Sequence, residues 1–290
     1  MGKHLSGFNF SLLHADYVRL TERWNYSNVI SPYFRIYYID EGEGFVSGKQ
    51  GRIKLEQGFF YIIPSFTLCN LSCKGFLSQY FVHFFEESAE GISIFENNRK
   101  VIKIPAGAVD ITNIKRLIEI NPGRGINRSD NPLDYEKHAY YKSYQELNKK
   151  VSDSVYFETK GIILQLLSRF LESDRFKAKS AEPVPSKILD TIRYIQVNIA
   201  ENLTINFLAG RANLHQDYFS RLFLKHTGQR PLTYLHEKRI ERAQHLIATT
   251  DLSFTEIGEK TGFQNLSHFS KMFKKTTSLT PGEYKRRNGL

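Results

Sequence analysis

The last third of the chain contains an internal repeat, and this repeat restricts the fold more than any other feature of the sequence. The segment Tyr218-Phe-Ser-Arg-Leu-Phe223 returns 50 residues later as His268-Phe-Ser-Lys-Met-Phe273. Four further pairs recur at the same offset: Lys225 and Lys275, Thr227 and Thr277, Pro231 and Pro281, Tyr234 and Tyr284. A constant offset over this length predicts two copies of one supersecondary unit.

Each copy has the pattern of a helix-turn-helix. Upstream, 207–212 corresponds to 256–261 at an offset of 49, so the second turn is one residue longer. Asn213 or Gly262 stands at the turn, and both residue types tolerate the left-handed backbone that a sharp turn needs. A small residue precedes each turn (Ala209, Gly258), an apolar residue follows it (Leu214, Phe263), and the next helix carries an apolar face (Phe219, Leu222, Phe223; Phe269, Met272, Phe273).

Positive charge is concentrated in the same part of the chain. From Val184 onward there are 16 Lys and Arg against 9 Asp and Glu, whereas the first 183 residues hold 24 against 21. A basic domain with two helix-turn-helix units favours double-stranded DNA as its partner. A plain helical bundle with two similar hairpins is the alternative.

The region from Ile188 to Arg286 resembles the AraC/XylS family of bacterial regulators. The resemblance depends on four segments: Arg239-Ile-Glu-Arg-Ala243, Glu256-Ile-Gly-Glu-Lys-Thr-Gly-Phe263, Ser267-His-Phe-Ser-Lys-Met-Phe-Lys-Lys275 and Leu279-Thr-Pro-Gly-Glu-Tyr-Lys285. It implies seven helices in two helix-turn-helix subdomains joined by a long helix. The two recognition helices would enter successive major-groove segments about 34 Å apart. Ser278 stands where the family usually has Gly, which predicts a looser C-cap on the second recognition helix.

By position, the resemblance also implies which side chains face DNA. In the first recognition helix they are Gln216, Asp217, Ser220 and Arg221, and in the second Leu266, Ser267, His268, Ser270 and Lys271. Arg221 is the expected base reader, because a guanidinium can donate two hydrogen bonds to guanine, with a phosphate contact as the alternative. Asp217 would accept from cytosine or exclude a wrong phosphate register. Lys225, Lys274 and Lys275 are expected to contact phosphate.

The sequence predicts an α+β protein with two domains. Small residues, charges and two prolines in 177–186 mark a linker between a domain at 1–176 and a DNA-binding domain at 187–290. Up to about residue 110 the chain has short, aromatic-rich strand patterns, which indicate a small barrel or sandwich. Two helices are expected after it, over 134–151 and 155–172, with a loop at 121–132. Regulators of the resembled family that sense metabolites carry a cupin-like β-barrel followed by dimerisation helices, and this pattern looks similar.

A ligand-binding role for the first domain rests on Arg35 and Tyr37. Alternation in 33–39 places both on one face of a strand, and an inward Arg35 would pair with an anionic ligand. The alternative is a surface Arg35 beside aromatic core residues. A third interpretation is a domain that binds no ligand and only dimerises or contacts RNA polymerase.

Catalysis is not expected, and neither is a cofactor. An enzymatic cupin needs metal-binding histidines one residue apart, and no two of His4, His14, His83 and His138 are so spaced. Cys69 and Cys73 are interpreted as two free buried thiols. The remaining alternative is a cupin-type metabolite-binding or catalytic protein whose basic helical tail only localises it.

No apolar run approaches the length of a membrane span, and the N-terminus does not look like a secretion signal. We therefore expect a cytoplasmic, sequence-specific DNA-binding transcription regulator with no membrane partner. Activation through RNA polymerase is the default that the family resemblance implies. The helix at 155–172 predicts a homodimer, and a small-molecule effector is left open.

Overall fold

The computed structural model describes residues 8–48, 51–88, 93–95, 99–126, 144, 146–172 and 185–287. Its strands are β1 (Phe8–Thr21), β2 (Asn25–Val29), β3 (Phe34–Gly48), β4 (Gly51–Glu56), β5 (Phe59–Ile63), β6 (Cys69–Ser88) and β7 (Ile102–Pro105). They form one antiparallel sheet in the order β1-β6-β3-β5-β7, with β2 on β6 and β4 on β3. The described strands therefore form an open sheet and not the predicted closed barrel, since no strand pairing among them joins β1 to β7.

The alternation predicted over 33–39 is present in β3, where it separates two apolar cores. Phe34, Ile36 and Tyr38 lie on the face that packs against helices, whereas Tyr37 and Ile39 lie on the opposite face. This division follows from the two-residue period of a strand, which sends successive side chains to opposite sides. Both sets are buried, so the aromatic residues of β3 are core.

Two helices cover the first of these faces. They are α1 (Ala108–Ile120) and α2 (Asp153–Glu172), and α2 confirms the helix expected over 155–172. The sequence reading missed α1, because it is rich in β-branched residues and buries only Ile114 and Leu117 among its apolar side chains. Of the segment 134–151, where a second helix was expected, residue 144 and residues 146–150 are helical. Most of the remaining residues of that segment lie outside the described part of the chain.

Seven described helices follow, as the family resemblance implied. They are α3 (Ser186–Val197), α4 (Ile205–Arg211), α5 (Gln216–Thr227), α6 (Pro231–Thr249), α7 (Phe254–Lys260), α8 (Leu266–Thr277) and α9 (Pro281–Arg287). The long helix α6 contributes its first half to one apolar core and its second half to another. Most of the linker expected at 177–186 lies outside the described residues. None of the described helices is both long and apolar enough to cross a lipid bilayer.

The sheet packs directly against α6. Ala248, near the C-terminal end of α6, joins a small apolar cluster with Leu13, Tyr33, Phe85 and Tyr144. The ring of Phe85 also meets the ring of His245 edge-on, with centroids 5.5 Å apart. The helix that joins the two repeats is therefore also the helix that the N-terminal domain contacts.

Candidate nucleic-acid interface

The two turns predicted from the repeat have the same backbone geometry. Asn213 has φ +51° and Gly262 has φ +80°, so both occupy the left-handed region. In each turn the following N–H reaches back to the small residue of the first helix: Leu214 N to Ala209 O at 3.0 Å and Phe263 N to Gly258 O at 2.8 Å. The extra residue in the second copy lies in the turn, between α7 and α8.

The recognition helices α5 and α8 are anchored by equivalent aromatic residues. Phe223 meets Tyr234 edge-on with centroids 5.6 Å apart, and Phe273 meets Tyr284 in the same way at 5.3 Å. Phe219 and Phe269, one turn earlier, are fully buried. Each recognition helix therefore has a fixed inner face, which determines the outer face left for a partner.

Those outer faces match residue by residue. Positions 216–223 and 266–273 have the same order of exposed, half-buried and buried side chains. Of the predicted DNA contacts, all are exposed except Ser220 and Ser270, which are half-buried. The structure thus brings the predicted side chains together on two equivalent surfaces.

One residue of this surface was missed by the sequence reading. Tyr218 is 51% exposed on the outer face of α5, at the position that His268 occupies on α8. The signal was available, because the 50-residue offset itself aligns these two residues. Tyr218 is therefore added to the candidate interface.

Both recognition helices end in a left-handed cap. Gly228 has φ +75° and Ser278 has φ +66°, and each cap N–H donates to the carbonyl four residues earlier at 2.8 Å. Ser278 therefore forms the cap that Gly forms in the first copy, with the steric cost that a side chain carries in this conformation. Whether the second recognition helix is less rigid stays a prediction.

A family model described as a helix-turn-helix domain matches residues 208–287. The HTH-type transcriptional regulator YobQ of Bacillus subtilis is 28% identical over 193 residues, which span 67% of this chain and 69% of that protein. The arabinose operon regulatory protein of Escherichia coli is 28% identical over 144 residues, 49% of each chain.

The chain is an AraC-type transcriptional regulator. The matched domain and the relatives are regulators and not enzymes, so the prediction that this chain is no enzyme is confirmed. The fold of the whole regulator is similar to that of ToxT from Vibrio cholerae, with a TM-score of 0.50 at 15% identity over 97% of this chain and 98% of that one.

Arg35 and Tyr37 lie in the packed N-terminal domain. Arg35 is 1% exposed, so the surface alternative was wrong, and its Nη2 donates to the Sγ of Cys69 at 3.3 Å. It is paired across the sheet with His83, which is paired in turn with His14. Tyr37 is 2% exposed on the same face. Their role in ligand binding stays a prediction.

The two cysteines are free and buried, as predicted. Both lie in β6 and belong to the core on the face of Tyr37. Burial raises the pKa of the Cys73 thiol, which favours its neutral form. Among the described residues, no group of three or more His, Cys, Asp and Glu side chains is placed to hold a metal ion.

Proposed function

We propose that this regulator reads two successive major-groove segments, one with α5 and one with α8. The observation that supports this most directly is the identical exposure pattern of the two recognition helices, each held by the same aromatic anchor. One helix-turn-helix contacts one groove segment through the N-terminal part of its recognition helix. Two such units on one rigid helix, α6, present two readers to one face of DNA.

The side chains have different tasks in this proposal. Arg221 is exposed on α5 and donates to guanine in the major groove. Gln216, Asp217, Tyr218 and Ser220 surround it, and Leu266, Ser267, His268, Ser270 and Lys271 form the second reading surface. Lys225, Lys274 and Lys275, toward the helix ends, bind phosphate and add affinity without sequence preference.

Genome-wide capture of bound DNA, followed by gel shifts on the recovered site, tests this proposal. We expect one recurring motif, and Arg221→Ala should weaken binding by about 1–3 kcal/mol and relax the preference at one base pair. Arg23→Ala, an exposed arginine in the turn between β1 and β2, is the matched control and should bind like the wild type. Diffuse capture with equal affinity of all three proteins would contradict sequence-specific reading.

A homodimer through α2 is part of the proposal. Phe157 and Leu164 lie seven residues apart on α2 and are 69% and 51% exposed, with Gly161 between them. The space above Gly161 is open, so a second helix can approach closely there. A second copy of the same face would bury both apolar side chains, because a twofold interface pairs a patch with itself. Sedimentation should give a dimer for the wild type and a monomer for Phe157→Glu/Leu164→Glu. A wild-type monomer at micromolar concentration would contradict it.

Control by a small-molecule effector is also proposed, together with activation through RNA polymerase in the cytoplasm. One structure of ToxT has an unsaturated fatty acid bound, so a protein of this fold accepts a ligand. An effector would shift the population of DNA-binding arrangements in the dimer. A reporter gene placed behind the recovered site tests activation, since a repressor would lower its expression.

A further inference from the structure

A cavity of about 250 Å³ lies between the N-terminal domain and the DNA-binding domain. Its walls on one side come from β3, β4 and the segment 66–69, and on the other side from α6 and the end of α8. Apolar side chains, among them Ile30, Ile53 and Leu68, form much of the lining. The size suits a molecule of two fused rings rather than a large cofactor.

Two hydrogen-bonding groups on opposite walls of this cavity have unused capacity. Gln244 on α6 is 1% exposed, and its Nε2 has no hydrogen-bond partner among the described residues. The same holds for the buried Oγ1 of Thr67 on the sheet side. A buried donor without a partner costs free energy, so a ligand acceptor placed here would recover it.

The groups around the cavity favour an uncharged ligand over an ionic one. Glu237 and Glu241 both line it, together with Arg99. Arg99 is already bonded to Glu241 through both terminal nitrogens, and Lys238 also bonds Glu241. An anion would approach the Glu237 carboxylate, and a cation would lose its hydration in a cavity with a largely apolar lining. An uncharged molecule avoids both penalties.

Strained backbone is found at the same place. Three described residues other than Gly have positive φ, and two of them, Phe66 and Ser278, line this cavity. Such residues occur preferentially at ligand clamps and switch regions. Ser278 is also the C-cap of the second recognition helix. A molecule in the cavity would therefore touch the N-terminal domain, α6 and the end of a DNA reader at once.

We propose that this interdomain cavity is the effector site, and that the effector is an uncharged, mostly apolar molecule with a hydrogen-bond acceptor. Gln244 donates to that acceptor, and Thr67 bonds it from the other wall. The inference rests on the proposed function, because it assigns the site and the ligand class through which DNA binding is controlled.

Prodan, an uncharged naphthalene ketone whose fluorescence reports its surroundings, is a suitable probe for the full-length protein. We expect saturable binding of one molecule, weakened about fivefold to tenfold by Gln244→Leu and by Thr67→Val. N-Phenylnaphthylamine lacks the carbonyl and should bind the wild type and both variants alike. For each variant, only the ratio of the prodan affinity to the N-phenylnaphthylamine affinity is interpreted. A general loss of folding lowers both affinities and therefore cannot imitate the result. Gln196→Leu, a buried amide in α3 outside the cavity, is the matched control.

Three outcomes would overturn the assignment. Equal prodan affinity in all variants would mean that the probe binds elsewhere. Absence of binding would mean that the cavity does not accept an uncharged apolar ligand. Tighter binding of the anion anilinonaphthalenesulfonate at this site would overturn the uncharged ligand class.

Coupling is measured on the DNA site recovered by genome-wide capture. Prodan should change the affinity for that DNA, and the DNA should change the affinity for prodan by the same factor. A probe that binds without this change would not occupy an effector site. Failure to recover any DNA motif would contradict the proposed function and leave the probe titrations unaffected, so the two failures are distinguishable.

Discussion

The Nδ1 atoms of His14 and His83 lie 3.2 Å apart in the interior of the N-terminal domain. One nitrogen donates and the other accepts, so two neutral rings in this arrangement are of opposite tautomer. Burial lowers the pKa of His14 to about 3, with Arg124 as a further cause. Burial, His14 and Arg35 together hold the pKa of His83 well below its usual range.

This pair makes the stability of the domain depend on pH. In the unfolded chain each histidine takes up a proton below about pH 6.5, whereas the folded pair stays neutral. The free energy of unfolding is therefore highest above about pH 6.5 and falls as the pH is lowered, by up to about 1.4 kcal/mol per pH unit for each histidine. Urea unfolding between about pH 7 and pH 5 should show this slope. His14→Gln should reduce the slope of the free energy of unfolding against pH by the contribution of one histidine. An unchanged slope would contradict the argument.

A second relationship joins the domains directly. Arg99 precedes β7 and bonds Glu241 on α6 with both terminal nitrogens, and the two side chains are only 18% and 11% exposed. Removal of one partner leaves the other charge poorly solvated. Glu241→Leu should therefore lower the free energy of unfolding by about 3 kcal/mol, as for other buried pairs. Chemical denaturation with a probe on each domain measures this.

The paired variant Arg99→Leu/Glu241→Leu is the control for that measurement. It removes both charges of the pair, so it should be nearer the wild type than Glu241→Leu alone, since Lys238 loses the same carboxylate in both variants. Equal losses in Glu241→Leu and in the paired variant would mean that packing, and not the charge of Arg99, accounts for the effect.

How much of this was visible in the sequence depends on the range of the contacts. The repeat predicted both recognition helices, their turns and their exposed faces, since all of these follow from residues within about one helical turn of each other. Alternation likewise gave the two faces of β3. It did not show that Arg35 is buried, because burial depends on what covers a face and not on which face it is.

Contacts between residues that are far apart in the sequence could not be predicted. Thr67 and Gln244 line the same cavity although 177 residues separate them in the sequence. The residues next to either one in the sequence do not predict this proximity. The missed helix α1 has a local cause, since Ile114 and Leu117 alone gave too weak an apolar period. The position of Arg99 against α6 could not be predicted for the same reason as the cavity.

The glycines of the second helix-turn-helix give a matched pair of substitutions. A Cβ on Gly258 would lie 3.7 Å from the Cβ of Phe269, an ordinary contact, so Ala fits as it does at position 209. Gly258→Ala should stabilise the domain by about 0.5–1 kcal/mol, because Gly is a poor helix former. Thermal unfolding measures the change, and a loss of stability would mean that the helices cannot accommodate even a methyl group.

Gly262→Ala should have the opposite effect. Its φ is +80°, and a Cβ there would lie 2.6 Å from Nη2 of Arg239 and 2.8 Å from the carbonyl oxygen of Ala200. The Arg239 guanidinium is itself fixed by bonds to the carbonyl oxygens of Ile199 and Glu201. With no room to move, the variant should lose about 2 kcal/mol or more. If both alanine variants had the same stability, the turn geometry described above would be wrong.

Lys274 and Lys275 distinguish phosphate binding from base reading. Both are exposed in the last turn of α8, beyond the predicted reading positions. A lysine that neutralises one phosphate releases about one counterion, so each alanine variant should lower the slope of log affinity against log salt by about 0.9. Affinity should fall by the same factor on the recovered site and on unrelated DNA. Lys74→Ala, an exposed lysine on β6, should change neither quantity. A variant that weakened only the recovered site would instead assign that lysine to base reading.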